Sequence, residues 1–201
     1  MTLDPDYWNA RYRGEQTGWD LGAANPALVD AVCERADPTD RILIPGAGRA
    51  HEAIELWRRG YRDTFVLDWA AEAIAAVRSQ PAVADAGLSA AELDERLVHA
   101  DFFAHEGRYD FLLEQTFFCA LDPGLRRDYV AQAAALLQPA GTWLGVLFDR
   151  EFPAPGPPFG GSAEAYRRLF STHFRVERLE PNVKAVGPRN GHEVIGVMHP
   201  I

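Results

Sequence analysis

The sequence predicts an α/β fold built around a doubly wound, mostly parallel sheet. The main observation is the stretch from Arg41 to Asp68, which contains a short apolar strand, a glycine turn, a helix and a second strand ending in a carboxylate. Strand and helix patterns continue to alternate as far as residue 148. The 201 residues, 47% of them apolar, suffice for a substantial core, so we expect a single domain over residues 1–201.

The glycine turn in this stretch is a candidate ligand site. Gly46 and Gly48 directly follow the apolar strand and allow the backbone to approach a ligand closely. Asp68 comes about twenty residues after the turn, where the hydroxyls of a bound ribose usually find their acceptor. The alternative is an ordinary strand-to-helix turn with two glycines and no ligand. The spacing of Asp68 favours the ligand site.

The third position after Gly48 indicates which nucleotides fit the turn. His51 stands there, where NAD- and FAD-binding fingerprints have a third glycine, and its side chain is too large for the close helix contact. The shorter turn suits a nucleoside without a pyrophosphate, and S-adenosylmethionine is the commonest such ligand on this architecture. A nicotinamide-dependent oxidoreductase remains one alternative. A non-catalytic module that binds S-adenosylmethionine is another.

Charge and composition exclude several kinds of partner. The net charge of −9, with no visible basic patch, argues against nucleic acid. Cys33 and Cys119 lack disulfide or metal-site spacing, and the histidines are not grouped, so we expect no metal and a reducing compartment. The chain begins without a signal-peptide pattern and has no apolar stretch long enough to cross a bilayer. These features predict a soluble, cytoplasmic monomer.

Residues 1–24 form a predicted N-terminal helical lid segment. A helix over Asp6–Arg13 places Trp8 and Tyr12 on one face, and Trp19 follows after a polar loop. These aromatic residues either form a hydrophobic flap over the sheet edge or close over a ligand. The sequence leaves both interpretations open.

Polar and aromatic side chains follow the later strands at the same sheet edge. Asp101 and Phe102 come after a strand near Arg96–His99, and a strand over Tyr109–Gln115 ends at Glu114 and Gln115. The carboxyl ends of parallel strands carry the ligand in such sheets, so Asp101 is a candidate acceptor for an adenine amino group and Phe102 a candidate ring contact. The alternative for Asp101 is a loop cap.

The rest of the chain completes the strand and helix pattern. A helix opens at Asp122, with Leu125 predicted to face inward, and a strand runs over Thr142–Phe148. The other predicted elements are a helix over Asn25–Cys33, a rigid proline-rich loop over 153–161, a helix over Ser162–Ser171, and strands near Arg175–Glu180 and Glu193–Met198.

Six motifs together give the chain a family resemblance. They are YWNARYRGEQTGWD at 7–20, IPGAGRAHEA at 44–53, VLDWA at 66–70, ADFF at 100–103, TFFCALDP at 116–123 and GPPF at 156–159. With these motifs the chain resembles the thiopurine S-methyltransferase superfamily. It looks closest to the thiol and halide methyltransferase branch, which includes plant thiocyanate methyltransferases.

The resemblance implies a class I methyltransferase with a Rossmann-like sheet of seven strands, the last of them antiparallel. It implies S-adenosylmethionine as cofactor and a small thiol or halide as methyl acceptor. The positions that match the family's motifs and are implied to contact the cofactor are Trp8, Trp19, Gly46, Asp68, Asp101 and Phe102. We also assign Tyr12, Gly48, Trp69 and Gln115 to cofactor binding.

The chain departs from the family pattern at three of these motif positions. Tyr12 replaces a third tryptophan, Ala47 replaces a frequent cysteine, and Gln115 stands where relatives carry a tyrosine that contacts ligand or substrate. We expect no obligatory general base, because glutamine does not titrate and a thiolate or halide is already nucleophilic. The candidates for the acceptor pocket are Glu114, Gln115, Phe118, Phe148 and Phe159.

Overall fold

The structure is a computed structural model that describes residues 2–201. The helices are α1 (Pro5–Arg13), α2 (Pro26–Arg35), α3 (His51–Arg58), α4 (Ala71–Arg78), α5 (Pro81–Ala84), α6 (Ala90–Arg96), α7 (Arg126–Leu136) and α8 (Ala163–Phe170). The strands are β1 (Ile42–Pro45), β2 (Thr64–Asp68), β3 (Leu97–His99), β4 (Tyr109–Gln115), β5 (Leu137–Phe148), β6 (Phe174–Pro181) and β7 (Glu193–Pro200). Short 3₁₀ turns cover 118–120, 123–125 and 187–189.

All seven strands form one sheet in the order β3-β2-β1-β4-β5-β7-β6. Strands β1 to β5 pair in parallel, and β7 runs antiparallel between β5 and β6. This confirms the predicted doubly wound sheet with an inserted antiparallel last strand. The chain leaves β1 toward β2 and β3 and then returns to β4, so the carboxyl ends of β1 and β4 flank the point where the strand order reverses. Ligands bind at such points in open α/β sheets.

The sheet is buried on both faces, as its apolar strands require. In β1, Ile42 and Ile44 face the layer that contains α2 and α3, whereas Leu43 between them faces the layer that contains α7 and α8. The second layer is aromatic and includes Tyr129 and Trp143. The two layers cover the faces of the sheet, so its carboxyl edge stays accessible to a ligand.

Helix α1 lies outside these two layers and rests on α4. It contributes no fully buried side chain. Arg13 forms an exposed ion pair with Glu72 (3.1 Å), and the side chain of Asn9 accepts a hydrogen bond from the Glu72 backbone N–H (3.0 Å). Exposed contacts of this kind contribute little to stability, so α1 is attached weakly to the rest of the fold.

Three predicted boundaries or orientations need correction. Leu125 is 40% exposed, because residues 123–125 form a 3₁₀ turn before α7 and shift it off the helix face. Strand β5 begins at Leu137 and not at Thr142, because Leu137 pairs with Tyr109 across an irregularity in the ladder. The second helix extends to Arg35, with Asn25 as its cap. Within residues 2–201, no helix combines the length and apolar character that crossing a bilayer requires.

Two glycines on neighbouring strands make room for one indole ring. Gly145 of β5 pairs directly with Gly196 of β7, and the ring of Trp143 lies across both. A Cβ atom at Gly145 would lie 2.6 Å from the indole and 2.5 Å from the Cβ of Glu114. Real Cβ atoms do not approach so closely, so both positions need glycine for packing.

Gly145→Ala should destabilise the fold by about 1–3 kcal/mol, because the added methyl group overpacks the sheet against Trp143. Urea denaturation measures the change. Gly18→Ala is the matched control, since a Cβ there meets nothing within 4 Å, and its effect should stay within about 0.5 kcal/mol. Equal free energies of unfolding for the two variants would contradict this account.

Candidate active site

A large cleft opens at the carboxyl edge of the sheet. Its volume is about 930 Å³, within the range of small-molecule sites. The floor comes from the ends of β1 to β5, and α1 with the loop through Trp19 forms the roof. A smaller pocket of about 40 Å³, hereafter the turn pocket, lies beside the glycine turn and shares Trp19, Gly46 and Thr116 with the cleft. This is the edge at which the sequence predicts a site.

Asp68 lies at the end of β2 in the cleft wall, with only 8% of its surface exposed. One carboxylate oxygen accepts a hydrogen bond from the Ala70 N–H (2.9 Å) and the other from the Gly48 N–H (3.3 Å). Burial raises the pKa of Asp68 to about 6 despite these bonds. A carboxylate has about four lone-pair positions, so capacity remains for two hydroxyl donors such as those of a ribose.

The glycine turn brings backbone and aromatic rings close together. Gly46 and Gly48 both have positive φ angles, 56° and 57°. A Cβ at Gly46 would lie 2.3 Å from the ring of Phe117, and one at Gly48 would lie 3.0 Å from the Tyr12 hydroxyl. A side chain at Gly46 would therefore collide with Phe117, and both residues line the cleft.

Aromatic side chains of the lid segment lie over this turn. Trp19 packs edge-to-face against Trp8 (5.4 Å between ring centroids) and Tyr12 (5.8 Å). Burial raises the pKa of Tyr12, and the negative charge of Asp68 raises it further. All three lid aromatics line the cleft. The structure therefore places them over the predicted ligand site.

Asp20 joins the lid segment to the start of α3. Its carboxylate bonds Arg49 Nε (2.9 Å) and His51 Nε2 (2.8 Å). A dinucleotide would place its pyrophosphate at this helix N-terminus, close to the backbone. In this chain the contacts of Asp20 with Arg49 and His51 cover the N-terminus of α3. The His51 side chain also adds bulk at the position where the dinucleotide fold has glycine. The geometry therefore disfavours the nicotinamide alternative.

Asp101, Phe102 and Trp69 all line the cleft at the ends of β2 and β3. One oxygen of Asp101 accepts a hydrogen bond from the Phe103 N–H (3.0 Å), so Asp101 serves as a loop cap and still has a second oxygen available. The ring of Phe102 stacks on Tyr129 with 5.3 Å between centroids. Both positions remain candidates for adenine contacts.

Glu114 does not line the cleft, contrary to the acceptor-pocket assignment. It is fully buried beneath the floor. Its Oε1 accepts from the N–H groups of Phe117 (2.9 Å) and Phe118 (2.8 Å), and its Oε2 accepts from the Tyr129 hydroxyl (2.7 Å). Burial raises the pKa of Glu114 to about 7. The side chain supports the floor from below and does not face a substrate.

Two other acceptor-pocket candidates also lie elsewhere. Phe118 is buried in the aromatic layer and, with Glu114, borders a separate void of about 10 Å³. The ring of Phe159 packs against Gly156. The neighbouring Pro157 and Pro158 line the cleft, whereas Phe159 does not. Gln115 lies in the turn pocket, where its carbonyl oxygen accepts a hydrogen bond from Asn25 (3.3 Å). Phe148 lines the cleft and stays a candidate for the acceptor pocket.

The cleft also contains residues that the sequence reasoning missed. Arg11, Arg150 and Arg189 line it, as does Phe152. The sequence contained signals for two of these arginines. Arg11 stands next to Tyr12 in the lid motif, and Arg150 comes two residues after the strand that ends at Phe148. In residues 2–201, no group of three or more His, Cys, Asp or Glu side chains is placed to hold a metal ion.

The chain is similar to known methyltransferases over nearly its whole length. The thiopurine S-methyltransferase (TPMT) family profile matches residues 3–199. Probable thiol methyltransferase 2 of Arabidopsis thaliana is 28% identical over 192 residues, covering 94% of this chain and 82% of its own. Thiocyanate methyltransferase 1 of Arabidopsis thaliana is 26% identical over 200 residues, covering 97% and 85%.

Solved structures show the same fold. The 1,6-didemethyltoxoflavin-N1-methyltransferase of Burkholderia thailandensis, with bound 1,6-didemethyltoxoflavin and S-adenosylhomocysteine, superposes with a TM-score of 0.73 at 19% identity, covering 98% of this chain and 87% of that one. The fold is that of class I S-adenosylmethionine-dependent methyltransferases. The chain belongs to the thiopurine S-methyltransferase family. Its cofactor is S-adenosylmethionine, which the spare acceptor capacity of Asp68 and the open glycine turn fit.

Asp68→Asn should weaken binding of S-adenosylhomocysteine by about 2 kcal/mol, because ribose hydroxyls lose a charged acceptor. The wild-type affinity should increase as the pH rises through about 6, since Asp68 must first lose its proton, and the Asn variant should lack this dependence. Calorimetry measures both effects. Asp94→Asn, on the exposed surface, is the control, and unchanged affinity in the Asp68 variant would refute the ribose contact.

Proposed function

We propose that this methyltransferase acts on a small soft nucleophile, in the first place a thiol and secondarily a halide or thiocyanate. The observation that supports this most is the position of Glu114, which is fully buried outside the cleft and whose two oxygens accept from Phe117, Phe118 and Tyr129. A carboxylate occupied in this way is not free to take a proton from the acceptor. An acceptor that is nucleophilic without a base, such as a thiolate or halide, suits this floor. The names of the two Arabidopsis relatives agree with such acceptors.

The chain supplies positioning and exclusion of water. S-adenosylmethionine, when bound, supplies a sulfonium methyl group that a nucleophile takes by displacement, with the electron pair of the broken bond left on S-adenosylhomocysteine. Asp68 holds the ribose, Asp101 and Phe102 hold the adenine, and Gly46 and Gly48 admit the ligand to the backbone. The remaining proposed contacts are Trp8, Tyr12, Trp19, Trp69 and Gln115. The thiol loses its proton to water, so the chain needs mainly to align the reactants in a dry site.

The acceptor half of the cleft is apolar and aromatic. Phe148 and Phe152 stand edge-to-face with 5.0 Å between centroids, and Phe117 completes the floor. Polarizable sulfur packs well against such rings. The net charge of −9 supports a small molecule rather than nucleic acid as acceptor.

A screen of acceptors with labelled S-adenosylmethionine tests the proposal. Small thiols, selenols, thiocyanate and iodide are each offered to the enzyme, and methylated products are identified by mass spectrometry. We expect thiols to give the highest kcat/KM. Methylation of an amine or a hydroxyl in preference to every thiol would overturn the proposed acceptor class.

The pH dependence of the rate should follow the pKa of the acceptor thiol and not the pKa of Glu114. With two thiols of different acidity, the rising limb of kcat/KM should move with the pKa of each thiol. Glu114→Gln should lower stability by about 1–3 kcal/mol, because Tyr129 loses its acceptor, yet leave that limb in place. A limb fixed near pH 7 for both thiols would identify Glu114 as the base, because its pKa is raised to about 7.

Deletion of residues 1–20 should spare the fold but abolish methyl transfer. Helix α1 buries no side chain fully, so the circular dichroism spectrum should stay near that of the full chain, while Trp8, Tyr12 and Trp19 are lost from the cleft. Arg13→Gln is the control, since it removes the exposed ion pair with Glu72 and no cleft residue. Full activity of the truncated protein would show that the lid segment is only a flap.

A further inference from the structure

Two arginines in the cleft lack any polar partner. Arg11 on α1 and Arg150 after β5 are only partly exposed, and within residues 2–201 neither side chain forms a hydrogen bond or an ion pair. The Nε atom of each is buried and unpaired. Every other arginine either bonds an oxygen or sulfur atom or, like Arg127 and Arg175, is exposed to water.

Unpaired buried N–H groups are costly, and proteins rarely keep them without a partner. Arg126 and Arg178 also have a buried Nε without a hydrogen bond, but each is otherwise engaged. Arg126 donates to the Phe159 and Gly160 carbonyls, and Arg178 lies 3.4 Å from Glu180. Arg11 and Arg150 have no such contact and face a cavity. A ligand is therefore the partner to expect.

The two guanidinium groups rest on aromatic rings that hold them in place. Arg11 lies 5.9 Å from the ring centroid of Tyr7 and 5.6 Å from that of Trp19. Arg150 lies 5.0 Å from the centroid of Phe152. Stacked guanidinium groups keep their N–H edges free for planar anions.

A third arginine connects the two sides of the cleft. Arg189 donates to the Trp19 carbonyl (2.7 Å) and lies 5.4 Å from the ring of Phe148, which in turn contacts Phe152. Arg189 thus stands between the residue on which Arg11 stacks, Trp19, and the Phe148–Phe152 pair on which Arg150 stacks. Glu193 lies 3.4 Å from Arg189, so the latter is already paired.

The carboxylates of the cleft bond backbone N–H groups elsewhere. Asp68 and Asp101 stand at the ends of β2 and β3, and Asp122 caps the turn before α7, where it accepts from the Gly124 N–H (2.8 Å). None of them pairs with Arg11 or Arg150. A protein with a net charge of −9 therefore keeps two guanidinium groups without a carboxylate partner in its cleft.

We propose that Arg11 and Arg150 form a subsite for the carboxylate of the methyl acceptor, so that the acceptor is an organic acid bearing a thiol. Guanidinium groups bind carboxylates through paired N–H bonds, and the aromatic rings beside Arg11 and Arg150 suit a flat hydrocarbon between acid and sulfur. The acceptor's identity as a thiol rests on the proposed function, but the anion subsite does not.

Binding to the protein saturated with S-adenosylhomocysteine tests the subsite without turnover. The probes are 4-(methylthio)benzoate and its neutral partner 4-(methylthio)benzamide, measured by calorimetry. The acid should bind about tenfold or more tightly than the amide. Arg11→Gln and Arg150→Gln should each remove most of this preference and leave amide binding within about twofold. Arg175→Gln, an exposed arginine, should change neither.

Turnover gives the second readout. The Gln variants should lower kcat/KM for 4-mercaptobenzoate about tenfold or more, mainly through KM, and spare 4-mercaptobenzamide. Arg→Lys variants, which keep the charge, replace any Gln variant whose melting curve shows that it does not fold. Lys at either position should lose part of the preference, since it cannot bind the acid through two N–H groups.

The outcomes separate this inference from the proposed function. Arginine-dependent binding of the acid without methylation of any thiol would uphold the subsite and refute the thiol acceptor. Equal binding of acid and amide would overturn the subsite, as would a preference retained in both variants. Weaker binding of S-adenosylhomocysteine in the Gln variants would instead assign these arginines to the carboxylate of the methyl donor. Arginine-dependent binding of thiocyanate but not of the acid would point to an inorganic anion and also overturn it.

Discussion

The buried carboxylate of Glu114 connects three parts of the molecule that have to stay in register. It accepts hydrogen bonds from the N–H groups of Phe117, which forms part of the cleft floor, and of Phe118 in the core, and from the hydroxyl of Tyr129 on α7. Tyr129 in turn accepts the indole N–H of Trp143 on β5 (3.0 Å). The sheet, the helix layer and the floor of the site are therefore held by one hydrogen-bonded chain in a dry interior, where such bonds are strong and unpaired groups costly.

The outcome of this network is a floor without an available base. Both oxygens of Glu114 accept hydrogen bonds from other residues of the protein. The side-chain oxygen of the adjacent Gln115 accepts a hydrogen bond from Asn25. The site can therefore hold a reactive sulfur against aromatic rings without competing for its proton. The lid completes this arrangement, because Trp8, Tyr12 and Trp19 cover the glycine turn from outside.

The sequence predicted the sheet, the glycine turn and Asp68, because these depend on local spacing. It predicted less well which aromatic residues face the cleft. Thr116 has a positive φ angle of 59°, and the 3₁₀ turn that follows ends the strand alternation, so Phe117 faces the cleft and Phe118 the core. The unpaired state of Arg11 and Arg150 could not be predicted either. It depends on the three-dimensional positions of carboxylates that are distant in sequence.

The position of β7 affects how the chain can assemble. Strand β6 pairs only with β7, although β7 follows it in the sequence and also forms the link to β5. During synthesis, residues 174–181 therefore have no sheet neighbour until residues 193–200 have left the ribosome. The parallel part of the sheet is able to form earlier, whereas Gly196, over which Trp143 lies, arrives last. The aromatic layer on that face thus reaches its final packing only after translation of β7. A messenger that ends before β7 would leave β6 without a neighbouring strand and the Trp143 ring without Gly196 beside it.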